Sequence, residues 1–394
     1  MLIKTKNQEY VLNFCSNIFS GESFEEIFDS FKEVIPKIKM RLESQKEFYF
    51  GAHFSYSVTK ELSESSEKMS SLIFWMKENN ILIQSLNGFP YQDFHKKGLK
   101  KTVYWPDWSS LKRLDYTKKL AIILSDLPNH SAFSSISTVP IGYKSIRKDK
   151  KKMNLALENL AEIILFFKKI FEEKKVLISL ALEPEPECFL STSDDVVNFF
   201  CHSIFIEKFY KKISDSKIKA KEIIKRHLGI CYDTCHMAVE FEDPEESMKK
   251  IVDNEIEIFK IQLSSGLKIS GSAREVIEYL EKFNDGIYLH QSVLKKDNGE
   301  MIHFLDLENI KEISPETEGE FRVHFHVPLF LNKFERASGT DDFTKEIIKI
   351  YKKNKMTSHL ETETYTFDVL PPEFKLQKIE ECLAKELEWC KRQF

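Results

Sequence analysis

Two hydrophobic periods alternate along the chain. Short apolar runs of strand length recur, each followed by a longer stretch with apolar residues at helical spacing. The first run, 11–19, passes into Ser20-Gly-Glu-Ser23, a turn and N-cap ahead of an amphipathic stretch over 24–38. Strand 47–56 and helix 63–79 follow, then strand 81–86, which ends in Asn87-Gly-Phe-Pro-Tyr91. An aromatic excursion, Tyr104-Trp-Pro-Asp-Trp108, leads to a helix over 116–127, a fourth strand over 132–141 and a long helix over 153–173. Strand 176–182 runs into Glu183-Pro-Glu-Pro-Glu187, and a helix begins after the Ser/Thr/Asp cluster at 191–195. The runs 228–232 and 256–263 are the sixth and seventh strands.

Strand and helix in strict alternation predict a parallel sheet, and eight such units with right-handed connections close into a (β/α)8 TIM barrel of the α/β class. A doubly wound open sheet is the alternative. The barrel is preferred because polar residues gather at the C-terminal ends of several different strands, whereas an open sheet concentrates them at one switch point. No G-x-G-x-x-G follows the first strand, which removes the main support for dinucleotide binding. Two later runs, 322–330 and 357–367, compete for the eighth strand. The assignment goes to 358–365, which follows a good helix over 341–353 and ends in carboxylates. A region of about 270–330 is then an insertion between strands seven and eight, with a hairpin at 295–300 inside 286–318. Residues 374–394 read as a closing helix on a single barrel domain spanning 1–394.

Composition narrows the classes. A chain of 394 residues, 42% hydrophobic, suits a barrel of roughly 250 residues enlarged by insertions. The net charge is −4, and the lysine-rich stretches 144–152 and 211–225 are offset by acids or lie on helix faces, which argues against a nucleic-acid partner. There is no apolar run long enough to insert in a membrane, and the first residues lack the apolar core of a signal peptide, so the expected location is the cytoplasm. Seven scattered cysteines, an odd number, argue against a disulfide framework. Cys231 and Cys235 read as buried thiols flanking Asp233. With 32 Phe against 12 Gly, the core is expected to be bulky and aromatic.

The strand ends supply a converging set: Glu183 from the fifth, Asp233 and His236 from the sixth, Gln262 from the seventh, and Glu361 or Glu363 from the eighth. Carboxylates with an amide oxygen suit a hard divalent ion, Mg²⁺ or Mn²⁺, with Zn²⁺ favoured if His236 coordinates directly. The set is expected to hold about one such ion per chain. Asp233 alone reads equally well as the cap of the next helix, and Gln262, alternating with Ile261 and Leu263, as a satisfied core amide. Glu185 and Glu187 read as loop. His324 and His326 alternate on one face of an aromatic strand and are ligands, substrate contacts or packed imidazoles. Asn87, His95 and Glu361 are further candidates for substrate contact. Two carboxylates facing across a bound hydroxy-carbonyl compound can also move a proton between adjacent carbons.

Asp233-Thr-Cys-His236-Met closely resembles the Asp-x-x-His pair of the xylose-isomerase-like TIM-barrel superfamily of sugar isomerases and epimerases. Gln262 in Ile-Gln-Leu resembles the hydroxypyruvate-isomerase variant, in which glutamine replaces histidine. The whole chain resembles the EboE-type metabolite-traffic proteins through Cys15-Ser-Asn-Ile-Phe-Ser-Gly-Glu-Ser23, Asn87-Gly-Phe-Pro-Tyr-Gln-Asp-Phe-His95, Ser137-Thr-Val-Pro140, Glu183-Pro-Glu-Pro186, Tyr232-Asp-Thr-Cys-His236, Val323-His-Phe-His-Val-Pro328 and Glu363-Thr-Tyr-Thr366. The resemblance implies a barrel, a metal, and a sugar-like or phosphorylated small metabolite. It also implies a functional link to a prenyltransferase-like membrane protein encoded nearby. Likeness to the Glu-aromatic ending of the family's eighth strand selects Glu363 over Glu361 as the ligand. The reading that results is a metal-dependent isomerase or epimerase, with Glu183 and Glu363 as base and acid, Asp233 and Gln262 holding metal with them, and His236 steadying a substrate oxygen. A non-catalytic carrier on the same barrel and an endonuclease-IV-like enzyme are the alternatives.

Overall fold

The computed structural model describes residues 1–394 apart from 5–8, 43–46, 94, 96–99, 129–132, 203 and 376–377. Strands β1 (Leu2–Lys4) and β2 (Glu9–Phe14) pair antiparallel, and β3 (Phe48–His53), β4 (Ile81–Asn87), β5 (Phe133–Thr138) and β6 (Leu177–Leu182) follow. Next come β7 (Leu228–Asp233) and β8 (Ile258–Leu263), then six short strands: β9 (Leu267–Ser272), β10 (Ser292–Lys295), β11 (Met301–Phe304), β12 (Glu318–Val323), β13 (Lys333–Phe334) and β14 (Ala337–Gly339). Strand β15 (His359–Thr362) is the last. Among the described residues these form a nine-stranded sheet in the order β1-β2-β15-β8-β7-β6-β5-β4-β3 and a six-stranded one in the order β11-β10-β12-β9-β14-β13.

Every neighbouring pair in the larger sheet except β1 with β2 is parallel, and a parallel bridge between Cys15 and Gly51 ties the start of the ring to its other edge. This is the parallel α/β barrel that the alternation predicts. The barrel strands are buried along nearly their whole length because helices cover the outside and side chains fill the inside. Local signals set the helix starts. Ser23 makes a full capping box with Glu26 at Phe24–Arg41, and Asp149 accepts two backbone N–H groups at the start of Lys150–Lys174. Among the described residues no helix is long and apolar enough to cross a membrane.

Several expected boundaries shift. The first strand stops at Phe14, and Ser16–Ile18 turns as a 3₁₀ helix, because the apolar run continues as packing and not as pairing. The expected helix over 63–79 is two helices, Tyr56–Glu64 and Ser66–Asn79, parted at Ser65, which sits in extended conformation and caps the second. Ala132, the expected first residue of the fourth strand, lies outside the described residues. The closing helix runs over Ile379–Gln393. The insertion is longer than the expected 270–330: its antiparallel sheet starts with β9 immediately after the seventh barrel strand and ends with β14 just before helix Asp341–Lys353. The hairpin around 295–300 is β10 paired with β11. His324 and His326 do not share a strand; β12 ends at Val323, and the two imidazoles follow on the extended run that leads from the insertion toward the barrel mouth.

A candidate metal centre at the barrel mouth

The barrel axis carries two polar layers. In the deeper one, Lys260 Nζ donates to Glu361 Oε1 at 2.8 Å and to Ser137 Oγ at 3.1 Å, while Ser85 Oγ donates to Glu361 Oε2 at 2.8 Å. Both charged side chains are fully buried. Gly51 leaves room for that carboxylate, since a Cβ there would stand 2.0 Å from Glu361 Oε2. Glu361 therefore faces inward with Lys260, one layer below the strand-end carboxylates.

The upper layer gathers the strand ends. Asp233, the last residue of β7, does cap helix Thr234–Val239: its Oδ1 accepts from the N–H groups of Cys235 (2.7 Å) and His236 (3.1 Å) and from Ser264 Oγ. Its Oδ2 has no hydrogen-bond partner among the described residues, so capping uses one oxygen and leaves the other. Glu183 comes directly off β6; Oε1 accepts from Gln262 Nε2 at 3.3 Å and Oε2 is likewise unpartnered, as is Gln262 Oε1. Glu363, just past β15, accepts on Oε1 from the amides of Asn17 and Asn87, both at 2.8 Å, and on Oε2 from Gln262 Nε2. One oxygen from each of Glu183, Asp233 and Glu363 lies within 4.8 Å of the other two. Buried oxygens without partners cost free energy, and a divalent cation among them removes that cost. The oxygen-rich donor set fits a hard ion such as Mg²⁺ or Mn²⁺.

Burial pushes Glu183 up to about 7, and pushes Glu363 well above the usual carboxylate range, where the neighbouring Glu183 and Asp233 charges raise it further. Burial would raise Asp233 too, but His236 and the hydrogen bonds from Ser264 and the His236 N–H hold it below its ordinary value. Burial opposes the charge on His236, yet the carboxylates of Asp233, Glu185 and Glu183 outweigh it and raise that imidazole. The consequence for metal uptake has a definite sign. Asp233 is already ionised near neutrality, whereas Glu183 must give up a proton to coordinate, so affinity for Mn²⁺ is expected to fall as pH drops through about 7, by about tenfold per unit for the proton displaced. Calorimetric titration in buffers of different ionisation enthalpy counts the protons released; uptake that releases none would contradict the assignment.

The insertion and the β6 loop roof this layer. His236, His324 and His326 line the cavity with Glu183, Glu363 and Asn87. Glu185, expected to be loop, is buried and faces the cavity: Tyr104 Oη donates to its Oε1 at 2.8 Å and Gln291 Nε2 at 3.0 Å. Prolines on either side of Glu185 hold the loop extended, so alternate residues share a face, and that was the available signal. Asn17 was missed because the expected first strand ran through it to residue 19, whereas β2 stops at Phe14. Tyr288 and Gln291 enter from the insertion and carry no pattern of their own. His95 stands behind the lining, its Nε2 on the Asn17 carbonyl (2.7 Å) and its Nδ1 on Tyr288 Oη (2.7 Å), so it supports the wall instead of touching the cavity.

No model of a known protein family matches the chain, and no curated protein matches it in sequence. Solved structures do match in fold. A D-tagatose 3-epimerase-like protein is similar at 12% identity and a TM-score of 0.50, over 97% of this chain and 96% of that one. A xylose isomerase-like TIM barrel protein from Mycobacterium smegmatis, in complex with magnesium, is similar at 10% identity and a TM-score of 0.51, over 98% of this chain and 96% of that one. At such identities the likeness shows the fold alone.

Proposed function

We propose that the chain is a metal-dependent isomerase or epimerase of a small, sugar-like hydroxy-carbonyl compound, free or phosphorylated. The observation that carries this reading is the pair Glu183 and Glu363, two buried carboxylates beside a cation-seeking donor set, both raised by burial above the ordinary carboxylate range. The magnesium complex of a protein of like fold and the epimerase-like description of another support the metal and the substrate class.

Glu183, Asp233, Gln262 and Glu363 would hold the ion. When bound, it supplies an electrophile that polarises a substrate carbonyl. Each glutamate can give one oxygen to coordination and keep the other for a proton. Glu183, near 7, takes the proton from the carbon next to the carbonyl. Glu363, which burial keeps protonated, returns one to the neighbouring carbon or the opposite face. Asn17 and Asn87 fix the Glu363 carboxylate through their amides. His236 steadies a substrate oxygen, and the insertion keeps bulk water from the exposed carbanion. The motif order along the chain supports an EboE-type role in metabolite traffic, in the cytoplasm beside a prenyltransferase-like membrane protein.

Metal-loaded protein incubated with candidate ketoses and hydroxy acids in D₂O is expected to place deuterium on the carbon beside the carbonyl, read by NMR. If a compound shown to bind in the barrel acquires none, the carrier reading replaces this one.

A further inference from the structure

We infer that three imidazoles at the barrel mouth form a second cation site, next to the carboxylate set and distinct from it. Its ligands are the Nε2 atoms of His236, His324 and His326. The inference does not depend on the isomerase reading.

The hydrogen bonds fix which nitrogen of each ring is bare. His236 Nδ1 sits 2.8 Å from the Pro184 carbonyl, and His326 Nδ1 faces the Glu363 carbonyl. His324 Nδ1 is 2.9 Å from Gln291 Oε1, and that amide is oriented by its Nε2, which donates to Glu185 Oε1 (3.0 Å) and the Pro186 carbonyl (3.2 Å). All three partners accept only, so each Nδ1 carries the hydrogen and each neutral ring turns a lone pair outward from Nε2. Those lone pairs converge: His324 Nε2 is 3.1 Å from His236 Nε2 and 3.1 Å from His326 Nε2. A proton added to His236 satisfies one of these two contacts and leaves the other facing lone pair to lone pair. A cation satisfies both. Imidazoles at zinc bonding distance in a tetrahedral shell stand about 3.3 Å apart, close to the spacing found. The Nδ1 bonds to carbonyl oxygens are the supports that metal-bound histidines use.

Asp233 joins the two sites. Its unpartnered Oδ2 is 3.8 Å from His236 Nε2. Asp233 belongs both to the carboxylate cluster with Glu183 and Glu363 and to a cluster with His236 and His326, each with ligand atoms within 4.8 Å of one another. The imidazole site suits a borderline ion such as Zn²⁺, the carboxylate site a harder one. Two of the three histidines come from the insertion, so the second site is a product of that segment and not of the barrel strands.

The test uses Zn²⁺ alone. Metal-stripped full-length chain is reloaded, desalted and assayed for bound zinc, with X-ray absorption reporting the ligands. Wild type is expected to retain two ions per chain, His324→Ala/His326→Ala one, and Glu183→Gln/Glu363→Gln one, with imidazole scattering dominating its spectrum. Circular dichroism and melting establish that each variant folds. Should the histidine variant not fold, the spectrum of the glutamine variant decides by itself. A single ion in wild type, undiminished in the histidine variant, overturns the inference, as does an oxygen-only shell or no zinc in the glutamine variant. Two ions with no deuterium exchange would sink the isomerase reading and leave the second site standing.

Discussion

Lys260→Met is expected to cost about 3–5 kcal/mol of stability, because it removes one partner of a fully buried ion pair and leaves the other charge without compensation. Burial alone would raise Glu361; the Lys260 ammonium 2.8 Å away instead holds that carboxyl down at about 2. A carboxyl whose folded value lies below its unfolded one stabilises the fold above the unfolded value, and that contribution is lost as pH falls toward about 2. With methionine at 260 the sign reverses: Glu361 keeps a proton, and the variant loses further stability as pH rises through the range where the unfolded chain ionises. The double variant Lys260→Met/Glu361→Met removes both charges and is expected to recover most of the loss. Denaturant unfolding of wild type, Lys260→Met, Glu361→Met and the double variant closes the cycle. A single-variant cost below about 1 kcal/mol, or a double variant no better than the single, would mean the pair is not the support beneath the mouth that its position suggests.

Glu183→Gln is expected to lower the rate of substrate deuteration by about 10² to 10⁴, the range that a positioned proton-transfer group contributes. Glutamine keeps the shape and still accepts from Gln262 Nε2 through its amide oxygen, so loss of packing is not the cause. What disappears is a basic oxygen that burial raises and that is also one of the proposed metal ligands, so the variant's metal content is measured beside its exchange rate. Glu363→Gln is expected to fall comparably, with a difference in kind: the acid role fails, so product formation drops further than exchange into substrate does. Comparing deuteration with turnover for the two variants separates the roles. A Glu183→Gln protein that exchanges within about tenfold of wild type would place the base elsewhere.

All eight barrel strands were legible in the sequence because parallel strands buried on both faces are nearly continuous apolar runs, and β6 and β7 are clear examples. The upper layer was legible for a related reason: Glu183 and Asp233 are polar side chains at the ends of such runs, and Gln262, inside its strand with an ordinary core reading of its own, stood out only in their company. Two things hid the rest. Glu185 looked like solvated loop because burial of that loop depends on Tyr104 and Gln291, far away in sequence. The insertion misled in extent, since its strands are short and antiparallel and are held by pairing with each other more than by any internal pattern. His324 and His326 could be seen to face one way; that their target was a third imidazole on a different element could not, because no local period encodes it.

The eighth strand lies between β8 and β2, and Glu363 just beyond it takes a hydrogen bond from Asn17, 346 residues earlier. Such pairing makes the ring slow to finish: β2 and β8 both present open edges until residues 359–362 have been synthesised and the whole insertion has been threaded out of their way. The candidate ligand set gains Glu363 only in that final step, whereas Glu183, Asp233 and Gln262 already stand on neighbouring strands. Uptake of a cation by the complete candidate set would therefore report completed folding, and a chaperone that shields the β2 edge during synthesis would raise the yield of protein with that set complete without touching the site itself.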